Sequence, residues 1–412
     1  MIEFLSKLHY YYQLLLRRSV DRSVLCSTIA SLPIAIGITQ SGAKGRTLVQ
    51  PAPYLIRGPV ILFSLFAILF SQSQVQAQRN LRTFFGAAHP YIQYTGRIDF
   101  TNSRLPRFWQ PGVYITAKFT GPDCAIILND EVLWGKNHNY LEVIVDGQAK
   151  RLQTKARRDT ITVAENLSDG EHTLVICKNT EANIGYLELV GIICKQLIEL
   201  GERPRRKIEF IGNSITCGAG SDPSEIPCGK GVWQDQHNAY LSYGPVTARA
   251  LNAQYYLSAV SGIGLMHSCC NMNIIMPQVF DKISMRNDTI SWNFKNYQPD
   301  VVTVCLGQND GIQDSAIFCD NYISFVSKLR NYYPKAMIIC LSSPMANAAL
   351  AFFMKKTLTS VVNMMSNNGD KKITSYFFSK QYHNGCEGHP DLPEHEMIAN
   401  ELFPFIKKTM KW

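Results

Sequence analysis

From about residue 90 to 194, apolar and polar positions alternate in short runs, the period of half-buried strands. Val113 to Phe119, Ala125 to Leu128, Tyr140 to Val145, Thr160 to Val163, His172 to Cys177 and Tyr186 to Ile192 read as strands. Asn129-Asp130, Asp146-Gly147 and Asp169-Gly170 read as turns between them. Strands at this spacing predict an antiparallel β-sandwich over 90–194, with a jelly roll as one option. Residues 195–206, ending in Glu202-Arg203-Pro204-Arg205-Arg206, are charged and contain a proline, as a linker would. From 207 to 412 the rhythm changes. Apolar runs at 207–211, 255–260, 301–306 and 336–341 alternate with longer helical patterns such as Tyr243 to Asn252 and Ser315 to Tyr332. That alternation predicts βαβ units and a parallel sheet. The fold class expected is therefore a multidomain β plus α/β chain.

Residues 1–77 stand outside this reading. Arg57, the apolar run Val60 to Phe70 and Val75-Gln76-Ala77 have the order of a signal peptide, with Gln78 as the mature start. The apolar run is short for a membrane span. Residues 1–56 lie upstream of any ordinary signal; an over-extended gene start is the favoured reading, ahead of a cytoplasmic extension or part of an uncleaved anchor. Export to the periplasm or the outside is the expectation, with anchoring by 60–70 if the segment is not cleaved.

An apolar content of 46% with 18% charged residues is that of a globular chain. The net charge of +9 would suit nucleic acid, but seven Lys/Arg against Glu3 and Asp21 put +5 of it in residues 1–77. The other 335 residues carry +4 and no dense basic stripe, which argues against a nucleic-acid partner. Twelve cysteines favour an oxidising compartment. Their pairing is not fixed by the sequence; Cys217 with Cys228 is one expectation. No CxxC pair and no His/Cys cluster has zinc spacing. His395-Glu396 lacks the second histidine of a zinc-protease helix, because Ala399 stands there. No metal is expected, and nothing in the sequence sets an oligomeric state.

Three polar segments fall where strands should end: Gly212-Asn213-Ser214-Ile215-Thr216, Gly307-Gln308-Asn309-Asp310, and Gly388-His389-Pro390 before a helical pattern. The ends of parallel strands converge on one sheet edge, so a serine, an amide and a histidine can meet there. These are the parts of acyl transfer: nucleophile, oxyanion donor and general base. Taken singly, each has a plain structural alternative. Ser214 is equally an N-cap, Asn309 a turn residue, and His389 a packing residue at a helix start. The first segment is not a G-x-S-x-G elbow, since Thr216 replaces the second glycine. Gly262, in Ser261-Gly262-Ile263-Gly264, offers a backbone N–H to the same hole. Glu387 is the nearest carboxylate to orient the histidine, with a backbone carbonyl as the alternative. His395, inside a helical pattern, favours packing.

The ordered blocks resemble the SGNH (GDSL-like) hydrolase superfamily, and most closely carbohydrate esterase family 2. The resemblance runs from about Tyr94 to the C-terminus. It takes in Tyr94-Thr95-Gly96-Arg97, Phe108 to Val113 and Gly135 to Asn139, then Gly212 to Gly218, Ser261 to Gly264, Gly307 to Asp310 and Cys386 to Pro390. It implies a jelly-roll sandwich before a three-layer SGNH domain, and a serine esterase that removes O-acetyl groups from polysaccharides or oligosaccharides of the acetylxylan or acetylglucomannan type. It implies Ser214 as nucleophile, His389 as base, and Ser214 N–H, Gly262 N–H and the Asn309 side chain as the oxyanion hole, with no cofactor. Two departures stand out. Asn213 replaces the usual aspartate of the first block, and Glu387 replaces an aspartate two residues before the histidine, so a dyad is as credible as a triad.

Trp109, Trp134, Tyr140 and Trp233 are candidates to stack on sugar rings, Trp109 and Trp233 foremost, although core packing is the commoner fate of any one of them. Two other functions compete: a carbohydrate-binding protein with a degenerate hydrolase domain, and a lipid esterase or thioesterase on the same fold.

Overall fold

The structure is a computed structural model and describes residues 82–286 and 290–412. The proposed signal peptide and upstream extension lie outside the described residues.

The first half is an antiparallel sheet built around one strand of 17 residues, Tyr114–Asp130, which runs through two segments expected to be separate. Its Tyr114–Thr120 half pairs with Glu171–Lys178, and its Cys124–Asn129 half with Arg158–Ala164. Leu187–Ile198 follows its other edge, with register shifts at Leu189/Gly191 and Cys194/Gln196. Between the halves lie Gly121, at φ 97, and Pro122, which has no N–H to give a ladder. Changing partners there folds the sheet over. Ile115, Phe119, Ile126, Leu128, Val143 and Leu174, from both halves, then meet in a single core.

Several local readings need correction. Asn129-Asp130 ends the long strand and is not a turn: Asp130 still pairs with Leu187. The linker is shorter than 195–206, because Gln196, Leu197 and Ile198 continue the ladder against Thr120, Phe119 and Lys118, and Arg206 already opens the next strand. Gln148–Gln153 was not expected as a strand; it is a mostly exposed edge strand, so it lacks the apolar alternation. It follows a two-residue hairpin at Asp146-Gly147, where φ of 50° and 80° marks the backbone hand that right-twisted hairpins favour.

The second half is a five-stranded parallel sheet in the order Ala253–Ala259, Arg206–Gly212, Val301–Cys305, Met337–Leu341, Ile373–Tyr376. Both faces are covered, which is why its strands read as unbroken apolar runs. The helices Ser315–Tyr332 and Ala348–Asn367 pack Phe318, Phe325 and Leu358 with Val302 and Val304 in one cluster. The helices Tyr243–Ala250 and Leu392–Met410 pack Ala248, Ile398 and Leu402 with Ile208 and Phe210 in another. The chain passes from its first parallel strand to the edge strand on one side, then crosses to Val301–Cys305 on the other. The crevice beyond the C-terminal ends of Arg206–Gly212 and Val301–Cys305 is thus the topological switch point, where α/β sheets take ligands.

Every residue of the edge strand Ala253–Ala259 is buried because the antiparallel half covers it. Tyr114 lies against Tyr255 with ring centroids 4.8 Å apart, and a Cβ on Gly112 would come within 2.6 Å of Leu257. Arg97 is fully buried between the halves, 2.8 Å from Glu209 Oε1, and also donates to the carbonyls of Phe280 and Lys282. Among the described residues no helix is long and apolar enough to cross a membrane.

Candidate active site

Ser214 opens a four-residue helix, Ser214–Cys217, directly after the first parallel strand. The N-cap is Asn213, whose Oδ1 accepts the Ile215 N–H at 3.1 Å. The cap therefore falls one residue earlier than the serine and leaves its hydroxyl free for other work. Asparagine makes this bond as the aspartate of related first blocks would, without placing a buried charge. Gly212 is required by crowding: a Cβ there would sit 2.0 Å from Thr216 Oγ1.

His389 reaches the serine from the far end of the chain. Its Nε2 lies 2.9 Å from Ser214 Oγ, and its Nδ1 lies 3.2 Å from the Cys386 carbonyl oxygen. A carbonyl can only accept, so Nδ1 carries the proton and Nε2 presents its lone pair to the hydroxyl. Burial lowers the His389 pKa below the ordinary imidazole value, with the Cys386 carbonyl acting in the opposite direction. The base form is favoured.

Glu387 does not orient the ring. Its carboxylate accepts the indole N–H of Trp233 at 3.2 Å, and the Cys386 carbonyl takes the place beside Nδ1. The backbone decides this: Glu387 and Gly388 both adopt positive φ, 54° and 71°, which turns the carboxylate toward Trp233. Ser214 and His389 thus pair with a backbone carbonyl, and not a carboxylate, beside Nδ1.

Gly262 and Asn309 line the same cavity of about 520 Å³ as Ser214 and His389. Gly262, at φ 82, gives its carbonyl to the Cys269 N–H, and a Cβ there would meet Cys269 Sγ at 2.9 Å. Asn309 Nδ2 donates to the Ile263 carbonyl at 2.8 Å. A primary amide has two N–H groups, so the second remains for the cavity. Asp310 then fastens the segment that follows: its carboxylate accepts from the N–H groups of Leu265, Met266 and His267 at 2.9, 2.6 and 2.9 Å. Sequence reasoning missed Asp310, although it stands beside Asn309 in the same block.

The antiparallel half contributes Glu181, Asn183 and Ile184 to the cavity wall. None of these was anticipated, since no local pattern marks them. Of the aromatic candidates, Trp233 is 38% exposed and lines the cavity. Trp109 does not: it is 4% exposed and packs with Tyr256, Trp292 and Tyr297 between the halves. Tyr140 is buried with its hydroxyl on Asp235 at 3.0 Å, and Trp134 is exposed outside the cavity lining. His395 is fully buried and accepts the Tyr243 N–H at 3.2 Å.

The Cys217–Cys228 pairing is corrected. Cys228 is bonded to Cys386, and Cys217 is a buried free thiol at the end of the serine helix. Cys269 and Cys270 form a second bridge on the cavity wall. Among the described residues seven cysteines, Cys217 included, are buried thiols, so most of the cysteine count fills core space and is not a disulfide framework. Among the described residues no group of three or more His, Cys, Asp or Glu is placed to hold a metal ion.

A serine beside an imidazole, in a cavity at the switch point of a parallel sheet, is the arrangement of a serine hydrolase. Residues 210–368 match the GDSL-like Lipase/Acylhydrolase family and residues 94–204 match Carbohydrate esterase 2 N-terminal. The chain is 30% identical over 337 residues to Cellulase/esterase CelE of Acetivibrio thermocellus, covering 79% of this chain and only 40% of that protein's length. It is 26% identical to an acetylxylan esterase / glucomannan deacetylase of Cellvibrio japonicus over 86% of this chain and 99% of the relative. The structure of a family two carbohydrate esterase from Clostridium thermocellum in complex with cellohexaose superposes with a TM-score of 0.72 at 29% identity, covering 78% of this chain and 99% of that one. The chain thus carries a Carbohydrate esterase 2 N-terminal segment followed by a GDSL-like segment, and it resembles the family two carbohydrate esterases.

Proposed function

We propose that the protein is a serine esterase that removes O-acetyl groups from polysaccharides or oligosaccharides of the xylan or glucomannan type. The observation that carries this is the 2.9 Å contact from His389 Nε2 to Ser214 Oγ, with Nδ1 committed to a carbonyl. In this reading Ser214 Oγ attacks the acetyl carbonyl carbon while His389 Nε2 takes its proton. The resulting oxyanion is held by the N–H groups of Ser214 and Gly262 and the free N–H of Asn309, worth about 3 to 4 kcal/mol per donor in comparable sites. Collapse expels the sugar oxygen, which receives the proton from His389. Water, deprotonated by the same nitrogen, then attacks the acetyl-serine ester and releases acetate. Trp233 is the side chain placed to stack on a sugar ring.

Export is part of the proposal: Arg57, Val60 to Phe70 and Val75-Gln76-Ala77 are ordered as a signal peptide, and the Cys228–Cys386 bridge is consistent with an oxidising setting.

The test is acetate release from acetylated xylan and acetylated glucomannan by the purified protein beside Ser214→Ala. Release that falls at least about a thousandfold in the variant is expected. Glycan binding without release would assign a degenerate, binding protein, and faster cleavage of long-chain p-nitrophenyl esters than of acetylated glycans would assign a lipid esterase.

A further inference from the structure

The oxyanion donors proposed above all belong to the parallel-sheet half, yet the segment holding one of them is fastened from the other half. Glu181 lies between the strands Glu171–Lys178 and Leu187–Ile198. It is 1% exposed. Its Oε2 accepts the Ser261 N–H at 2.6 Å and lies 3.7 Å from Sγ of Cys217, the last residue of the helix that Ser214 opens. One carboxylate thus touches both the serine helix and the oxyanion loop.

The geometry of the loop shows what that contact controls. The peptide unit that presents the Gly262 N–H joins the Ser261 carbonyl carbon to the Gly262 nitrogen. On its N-terminal side the Ser261 N–H is held by Glu181. On its C-terminal side the Gly262 carbonyl is held by the Cys269 N–H at 2.9 Å. Gly262, at φ 82, has the backbone freedom to turn that peptide away if either anchor is lost. A charged acceptor makes a stronger bond than a neutral one, and it does so here inside a buried junction. The Glu181 backbone is itself anchored, since Lys178 Nζ donates to its carbonyl at 3.1 Å, and His237 Nε2 lies 3.9 Å from the carboxylate Oε1.

We propose that Glu181 is a positioning residue for the acyl-transfer step: from the antiparallel half, it fixes the peptide whose N–H, that of Gly262, donates to the oxyanion. This rests on the esterase reading of the site. It gives the first half a part in the chemistry beyond contact with a glycan.

The experiment compares the full-length protein with Glu181→Ala and Glu181→Gln by two readouts. One is kcat and KM for acetate release from acetylated xylan. The other is the rate at which a fluorophosphonate labels Ser214, which needs the nucleophile and the oxyanion donors but no glycan. Glu181→Ala should lower kcat and the labelling rate about 10- to 100-fold, with KM within about twofold. Glu181→Gln, which keeps an acceptor oxygen for the Ser261 N–H, should recover both to within about fivefold of the parent. Parent-like labelling in Glu181→Ala would overturn the proposal. So would a Glu181→Gln variant that melts like the parent yet labels as slowly as the alanine variant. If the parent labels at Ser214 but releases no acetate, the substrate reading fails, and the labelling series still decides the role of Glu181.

Discussion

Cys228 and Cys386 are joined across 158 residues of sequence, tying the segment that follows Ser214 to the turn that carries His389. Cys386 is also the residue whose carbonyl holds His389 Nδ1, so the bridge anchors the group that sets the tautomer of the base. Closing a loop of that length restricts the unfolded chain by about 5 kcal/mol in the chain-entropy account. Cys228→Ala should lower the melting temperature and reduce kcat more than it raises KM. Thermal unfolding and acetate release, each with and without reductant, check this; a variant that melts and turns over like the parent would remove the bridge from the account.

Glu387 gives the complementary case. Losing the carboxylate of a working triad costs about 10⁴ in kcat. Here the carboxylate is bonded to Trp233, so Glu387→Gln should keep kcat within about threefold of the parent, as expected for a group outside the proton path. Because burial lowers the His389 pKa, the acid limb of kcat/KM should lie below the ordinary imidazole value of about 6.5. A thousandfold loss in Glu387→Gln would restore the triad.

His395 is expected to make stability fall in acid. Burial lowers its pKa to about 3, and burial lowers that of His237 as well. In the fold His395 stays neutral where the unfolded chain takes up protons, below about pH 6.5, and the lowered His237 acts in the same direction. The unfolded state then binds more protons, so stability rises with pH and is lost as pH falls through that window. For His395 the window runs from about 6.5 towards about 3, at roughly 1.4 kcal/mol per pH unit. His395→Gln, which keeps an acceptor for the Tyr243 N–H, should flatten the slope between pH 6 and 4.5 in urea unfolding. An unchanged slope would mean that other groups set the acid response.

The Arg97–Glu209 pair is buried between the halves, with both side chains at 0% exposure. Arg97→Met leaves Glu209 as an unpaired buried charge, so a loss of about 3 to 5 kcal/mol is expected. Equilibrium unfolding measures it. A change below about 1 kcal/mol would show that the junction is able to solvate the carboxylate.

Strand and helix rhythm is local, and it was legible: four of the five parallel strands coincide with apolar runs at 207–211, 255–260, 301–306 and 336–341. The strand Gln148–Gln153 escaped because an exposed edge needs no apolar alternation. Ser214, Gly262, Asn309 and His389 were legible too, because a polar block after a strand in a βαβ chain must lie on the shared sheet edge.

What the sequence by itself determined is therefore the two-part architecture and the set of residues that meet at the switch point. Only the tertiary structure decided their neighbours. Glu387 bonds Trp233 because two successive positive φ angles turn it from the ring, and Cys386 supplies the carbonyl that holds His389. Trp109 faces the junction and not the cavity, and Cys228 finds Cys386 and not Cys217. Glu181 enters the site because the antiparallel half lies on the edge strand whose end leads into Ser261. Periodicity and turn chemistry act over a few residues. These partnerships span tens to hundreds of residues and depend on chain direction and packing, which no local pattern encodes.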